Sequence, residues 1–252
     1  MIVPFYAARF LMAVLALCYA SVKDFSTREV SDWVWLTSIP PCLLLDGLEL
    51  YLGNLSVTAL VASLGVALLM GVALYYLGFF GGADIFALVL IAAALPSYPY
   101  VPEFPFARVL FLPIAFVFIS STFLSIFYPF SILVLNLNDL RRGKSLLQGI
   151  GVKRWSAKLV LYATVRRISL SQLHGSLKYL PAEKVQLQEG VPMRKPVYFV
   201  HAEADVEELL GKLESYGQLF GEGVLASPTI PMVVLLSVGF LLANLVGLLP
   251  LV

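Results

Sequence analysis

Two aspartates stand where an apolar chain has little reason to keep a carboxylate. Asp24 closes one apolar run, in Lys23-Asp24-Phe25-Ser26-Thr27-Arg28-Glu29-Val30, and Asp84 opens another directly after Gly81-Gly82-Ala83. A carboxylate next to hydrocarbon costs several kcal/mol, so one that persists there usually has a task. Two of them brought together suit peptide hydrolysis with no metal and no cofactor. Like charges at close range raise one pKa, and the pair then holds a single shared proton. The ionised member takes a proton from water, and the protonated member polarises the scissile carbonyl. Such a pair titrates as a unit, so the sequence leaves open which aspartate does which.

The neighbouring residues have readings of their own. Gly78 and Gly81-Gly82 interrupt an apolar stretch where the backbone leaves one helix and enters another. Glycine tolerates unusual dihedrals there and lets a second chain approach closely, as an extended substrate requires. The helix expected next, Ile85–Leu95, ends at Pro96 and is only about 17 Å long, which puts the break in a water-reached cavity. Arg28 serves the charge bias of an inner loop, or orients Asp24 or the substrate. Ser26 with Glu29 three residues on has the form of a capping box opening the second helix, and Asp32 belongs to that helix start. Arg9 is expected to snorkel to an outer interface.

These residues need a membrane scaffold, and composition supplies one. Hydrophobic residues make up 60% of 252 and charged residues 13%, with a mean hydropathy of +0.88; a soluble domain carries about twice that charge. Six spans are expected, at Ile2–Val22, Trp33–Leu50, Val57–Leu77, Ile85–Pro99, Phe106–Leu137 and Pro228–Leu249. The first reads as a retained helix, because Arg9 alone makes a weak signal-peptide start. Cys18 and Cys42 lie in apolar runs as small buried hydrophobes, and without a CxxC pair they offer no zinc site. Two histidines, His174 and His201, leave little material for metal or Ser-His chemistry. A net charge of +1 gives no case for nucleic acid.

Cations set the expected orientation. Of 17 Lys and Arg, 13 lie in Asn138–Ser227, and nine of those precede Tyr179 with only Asp139 opposing them. The connections Asp46–Ser56 and Tyr100–Pro105 hold acids and no cation. Both termini are therefore expected outside, with the large polar segment and both aspartates on the cytoplasmic side. The expected fold is an all-α polytopic membrane protein with six transmembrane helices and a small α+β cytoplasmic domain inserted between the fifth and sixth. Its divisions are 1–137 (helices 1–5 and both aspartates), 138–227 (soluble domain) and 228–252 (helix 6). Within the soluble part, Lys158–Ser169 and Pro196–His201 alternate as strands would, and Asp205–Ser215 has helical spacing. The cationic early half, with Trp155, could also lie against anionic headgroups.

At these residues the sequence resembles a known family. Asp24-Phe25-Ser26-Thr27-Arg28-Glu29-Val30, followed by Asp32 and Trp33, is similar to the first-aspartate region of archaeal preflagellin and type IV prepilin peptidases, the class III signal peptidases. Gly81-Gly82-Ala83-Asp84 resembles their second-aspartate motif. These enzymes belong with the GxGD membrane aspartyl proteases. Ala83 stands where that name calls for glycine, as in some archaeal prepilin peptidases, and suggests a slightly tighter approach of backbone to substrate. The resemblance implies that Asp24 and Asp84 are the catalytic pair, with Arg28, Gly81, Gly82 and Ala83 supporting or contacting substrate. It further implies precursor archaellins or pilins with class III leaders as partners, cut at the cytoplasmic membrane face. Without the paired CxxC motifs of bacterial relatives, leader cleavage without N-methylation is expected. A competing reading is a proton- or cation-coupled transporter using the same two aspartates; a third is a non-catalytic membrane subunit that anchors filaments.

Overall fold

The computed structural model describes residues 3–98, 112–152, 154–174, 178–188, 191–201, 206–221 and 223–248. In chain order the helices are α1 (Val3–Ser26), α2 (Asp32–Tyr51), α3 (Val57–Tyr76), α4 (Gly82–Ala94), α5 (Pro113–Ser125), α6 (Phe127–Arg141), α7 (Trp155–Thr164), α8 (Leu170–Leu173), α9 (Val206–Glu214) and α10 (Met232–Leu248). Five strands fall among the later ones: β1 (Arg166–Ile168), β2 (Tyr179–Pro181), β3 (Glu183–Gln188), β4 (Val191–Pro196) and β5 (Val224–Pro228). The chain divides into two compact units, Met1–Ser125 with Pro231–Val252, and Ile126–Ile230. The expected divisions at 137/138 and 227/228 lie within a dozen residues of these.

The first unit is a helical bundle. The connections 27–31, 52–56 and 77–81 are short, so α1 to α4 run alternately up and down. Gly53 (φ 71°) and Gly78 (φ 77°) close α2 and α3 in the left-handed conformation that ends helices. α4 packs against α1, α2, α3, α5 and α10, and Ala87, Leu88 and Leu90–Ala94 are all buried. A helix apolar on every side belongs at the centre. Elsewhere the usual order is inverted: Leu15, Val22, Val61 and Leu69 are exposed, while Arg9, Asp46 and Glu49 are buried. Small residues allow the closest approaches. A Cβ on Gly239 of α10 would lie 2.7 Å from the Val117 carbonyl of α5, and the Ser121 hydroxyl donates to the Leu235 carbonyl at 3.0 Å across that contact.

Among the described residues, three helical runs are long and apolar enough to cross a membrane: Phe5–Ser26, Val57–Tyr76 and Pro113–Arg141. Gly82–Ala94 and Met232–Leu245 are apolar but shorter. α2 has the length, yet Asp32, Asp46 and Glu49 interrupt its apolar character. The fold is mostly helical with a small sheet region towards the C-terminus. Of the fifth expected span, residues 106–111 lie outside the described residues, as does the end of the fourth at 99. The sixth begins at Met232, not Pro228, because Val224–Pro228 pairs as a strand.

The second unit, Ile126–Ile230, holds the sheets. β5 is central in an antiparallel sheet ordered β1-β5-β2, with Ile168 opposite Val224 and Tyr179 opposite Pro228. Its two faces bury different clusters, Leu225 with Leu146, Leu161 and Val165, Val224 and Ala226 with Leu173, Leu213 and Phe220. β3 and β4 form a hairpin tied to β5 by buried Glu183, which accepts from Arg194 Nη2 at 2.8 Å and from the Leu225 N–H at 2.9 Å.

Several local expectations are corrected. Residues 155–164 are helix α7, and only Arg166–Ile168 is strand; helix formers such as Ala157, Lys158, Leu159 and Leu161 outweigh the alternation of Lys158–Ser169, and the chain becomes extended at Val165. Pro196 ends β4, and residues 197–201 are not strand. The helix expected at Asp205–Ser215, by contrast, is present over Val206–Glu214. Ser26 ends α1, its hydroxyl donating back to the Val22 carbonyl at 2.7 Å, so the capping box with Glu29 does not form; α2 starts at Asp32 after Ser31. Cys18 is exposed on α1, and Cys42 is buried.

The largest correction concerns Arg9. It does not reach outward. Asp46 and Glu49 lie inside α2, not in a connection, one turn apart on the face towards α1. Arg9 Nη1 pairs with Asp46, and Nη2 lies 2.6 Å from Glu49 Oε2. Removing one member of a buried pair strands the others at a cost of about 3–5 kcal/mol, whereas replacing the whole set by apolar groups is often neutral. Arg9→Met is therefore expected to unfold at clearly lower temperature in detergent, and Arg9→Met/Asp46→Leu/Glu49→Leu to recover most of the loss. Thermal unfolding of the two variants checks this; equal loss in both would contradict it.

Candidate active site

Asp24 lies in the last turn of α1. After it, the Thr27 and Arg28 amides both donate to the Lys23 carbonyl, at 2.8 and 3.2 Å, and Arg28 takes φ 64°. Arg28 is the one non-glycine residue with positive φ among the described residues, a conformation that costs a side chain roughly 1–2 kcal/mol. It brings the guanidinium back over the preceding turn, with Nη1 3.5 Å from Asp24 Oδ1. The other oxygen, Oδ2, accepts from the backbone N–H of Val233 at 3.1 Å.

That second contact is across helices. Val233 is in the first turn of α10, where amides have no partner within their own helix and the dipole favours negative charge. Asp24 thus caps α10 from α1. It is buried, with 9% of its surface exposed.

Asp84 is held differently. It is the third residue of α4, and Oδ2 accepts from the Gly81 N–H at 2.9 Å, the acid half of a capping arrangement. Gly81 itself has φ −91° and ψ 171°, extended backbone open to any residue, so the left-handed turn expected near here is at Gly78 alone. Gly82 leaves room instead: a Cβ built there meets nothing within 4 Å. Ala83 packs against the bundle core. Trp35 and Phe86 stack with centroids 6.3 Å apart, fixing the start of α2 beside the start of α4.

The up-and-down order of the helices puts the end of α1 and the start of α4 at the same end of the bundle, and α1 packs on α4. Both aspartates are therefore at that end, Asp24 buried and Asp84 half-buried. Arg28 joins Asp24 directly. Arg9, Asp46 and Glu49 form a separate cluster near the start of α1 and the end of α2, which is the opposite end. The residue that sequence reasoning did not single out is Val233. Its signal was Pro231 just before an apolar run, which marks a helix start with free amides.

An apolar-out bundle with several long apolar helices is a membrane protein, and this one carries two carboxylates at one end. Residues 11–130, which include both aspartates, match the type IV leader peptidase family. The match spans 120 of the 252 residues and supports assigning the chain to that family, whose members are proteases of the leader-peptidase kind. No curated protein matches the chain.

The Asp24–Val233 contact can be tested apart from catalysis. Proline is tolerated in the first turn of a helix and has no N–H. Val233→Pro is expected to cost about 1.5–3 kcal/mol, the range for a hydrogen bond to a charged group, and Val233→Ala less. In an Asp24→Ala background the proline penalty should largely vanish, giving a coupling energy by double-mutant cycle in detergent unfolding. Additive penalties would mean that the contact contributes nothing.

Proposed function

We propose that this protein is an intramembrane aspartic endopeptidase that cleaves class III leader peptides from archaellin or pilin precursors. The observation that supports the reading is that Asp24 and Asp84 lie at the same end of a bundle in which their helices pack together. Their surroundings differ in a useful way. Asp24 has an arginine and a helix-terminal amide as partners, whereas Asp84 is half-buried beside the open space at Gly82. One proton shared between them would leave one member to activate water and the other to polarise the peptide carbonyl.

In this reading Arg28 orients the Asp24 carboxylate, and Gly81, Gly82 and Ala83 let an extended leader approach Asp84. The chain crosses the membrane six times, the short helices α4 and α10 included, with both termini outside and the segment 138–227 in the cytoplasm. The cation count supports that sidedness: 13 of 17 lysines and arginines lie in that segment. Class III leaders end just before a hydrophobic helix, so the cleaved bond and both aspartates meet at the inner membrane face. The products are the leader and a mature subunit, with no methyl transfer and no cofactor.

Purified protein in liposomes, mixed with a precursor carrying a class III leader, tests the assignment. Wild type is expected to cleave, and Asp24→Asn and Asp84→Asn each to lose about 10²–10⁴-fold or more in rate while melting within a few degrees of wild type. Retention of substantial cleavage by either folded variant would remove that residue from the catalytic pair.

A further inference from the structure

The second unit contains a cavity that the peptidase reading does not use. Its volume is about 530 Å³, within the range of small-molecule sites. Three cations, Lys144, Arg166 and Arg167, line it with one carboxylate, Asp139. Asp139 Oδ2 accepts from Arg166 Nη2 at 2.8 Å, and Arg167 Nη2 donates to the Gln148 carbonyl at 2.5 Å. The exposed Lys144 ammonium has no carboxylate partner among the described residues. The lining therefore holds more cations than carboxylates, with Lys144 the one whose charge is open to a ligand. Buried Asn136 stiffens one wall by donating to the Tyr162 and Val165 carbonyls at 2.8 and 2.7 Å, which fixes α6 to the end of α7.

We propose that this cavity binds the phosphate headgroup of an anionic membrane lipid. Its place on α6 carries the argument. Phe127, Phe130, Val134, Leu137 and Leu140 are all exposed and fall at helical spacing, so they form one apolar stripe down the outer face of α6. Asn136 and Asp139 lie on the opposite face. α6 is the last part of the run Pro113–Arg141, one of the three long enough to cross a membrane. The cavity opens where that run ends, beside Arg141, Arg142 and Lys144. That is the level of lipid headgroups, where each basic residue contributes about 1 kcal/mol towards anionic lipid.

α7 supports the same placement. Trp155 and Leu159 are exposed, at 74% and 51%, one turn apart on one face, with Arg154 and Lys158 exposed beside them. An exposed tryptophan among cations is the composition of a headgroup-level anchor. Lipid tails would lie along the α6 stripe while the phosphate enters the cavity. The proposal does not depend on the catalytic assignment of Asp24 and Asp84.

The full-length protein in non-ionic detergent, titrated with phosphatidylglycerol, phosphatidylcholine or inorganic phosphate and followed by native mass spectrometry, tests it. Phosphatidylglycerol is expected to be retained over phosphatidylcholine, with about fivefold weaker retention in Lys144→Ala and weaker still in Lys144→Glu. Lys212→Glu, an exposed site on α9, should leave retention unchanged. Equal retention of the two lipids, or undiminished phosphatidylglycerol binding in Lys144→Glu, would overturn the proposal. So would an equal loss in Lys212→Glu, which would reveal only diffuse attraction to net charge. Inorganic phosphate bound as tightly as the lipid would make this a free-phosphate site and overturn the lipid assignment.

Discussion

A carboxylate at the edge of an apolar bundle survives only if donors come to it, and Asp24 recruits them from two places. Arg28 reaches it from its own chain segment, through a backbone conformation that most side chains avoid. Val233 reaches it from the far end of the sequence, through an amide left over at a helix start. Both contacts exploit groups that already needed a partner: a helix-end cation and a helix-start N–H. One acid therefore fixes where α1 ends and where α10 begins. Around that tie the central α4 is held on several sides by α1, α2, α3, α5 and α10, and it carries Asp84 at its first turn.

Much of this was legible because the sequence marks it by type and position. Asp24 and Asp84 stand out as acids beside apolar runs, and α1 to α4 follow from run lengths and the glycines between them. The polar stretch was legible as a separate mixed unit, and α9 from its spacing. What escaped reading depends on contacts across the chain. Arg9 looked like an interfacial cation because its two partners sit 37 and 40 residues away, on a stretch also counted as part of the connection Asp46–Ser56. The capping box at Ser26 and Glu29 fits the local pattern, yet α1 continues through Ser26 and takes up its hydroxyl. The segment 158–169 alternates like a strand, yet it is helix up to Thr164 and extended from Val165 on, with Leu161 and Val165 both buried in one cluster. Val233 bears no side-chain chemistry at all, so its part was visible only as a helix start after Pro231.

The glycines divide by the same logic. Gly78 is needed for its backbone, since φ 77° is a strained position for any side chain. Gly82 is different, because an added Cβ would meet open space. It stands two residues before Asp84 with open space around its Cα. Sequence alone shows glycines clustered ahead of an acid and does not separate the one that turns the chain from the one that clears it.

The two charged clusters of the bundle differ in how far they are closed, and that difference bears on which of them could react. At one end, Arg9 sits between Asp46 and Glu49 with exposures of 4%, 0% and 2%. Its charge is spent on two buried acids, and closure of this kind gives structure without chemistry. At the other end Asp24 has a single arginine at a longer 3.5 Å, and Asp84 stays half-buried beside a cleared space. An acid that must exchange a proton with water needs that incomplete enclosure: enough donors to exist in apolar surroundings, and enough access to react. The same residue types, placed at opposite ends of the same helices, are thus separated into a lock and a candidate catalyst by how far the surrounding side chains close over them.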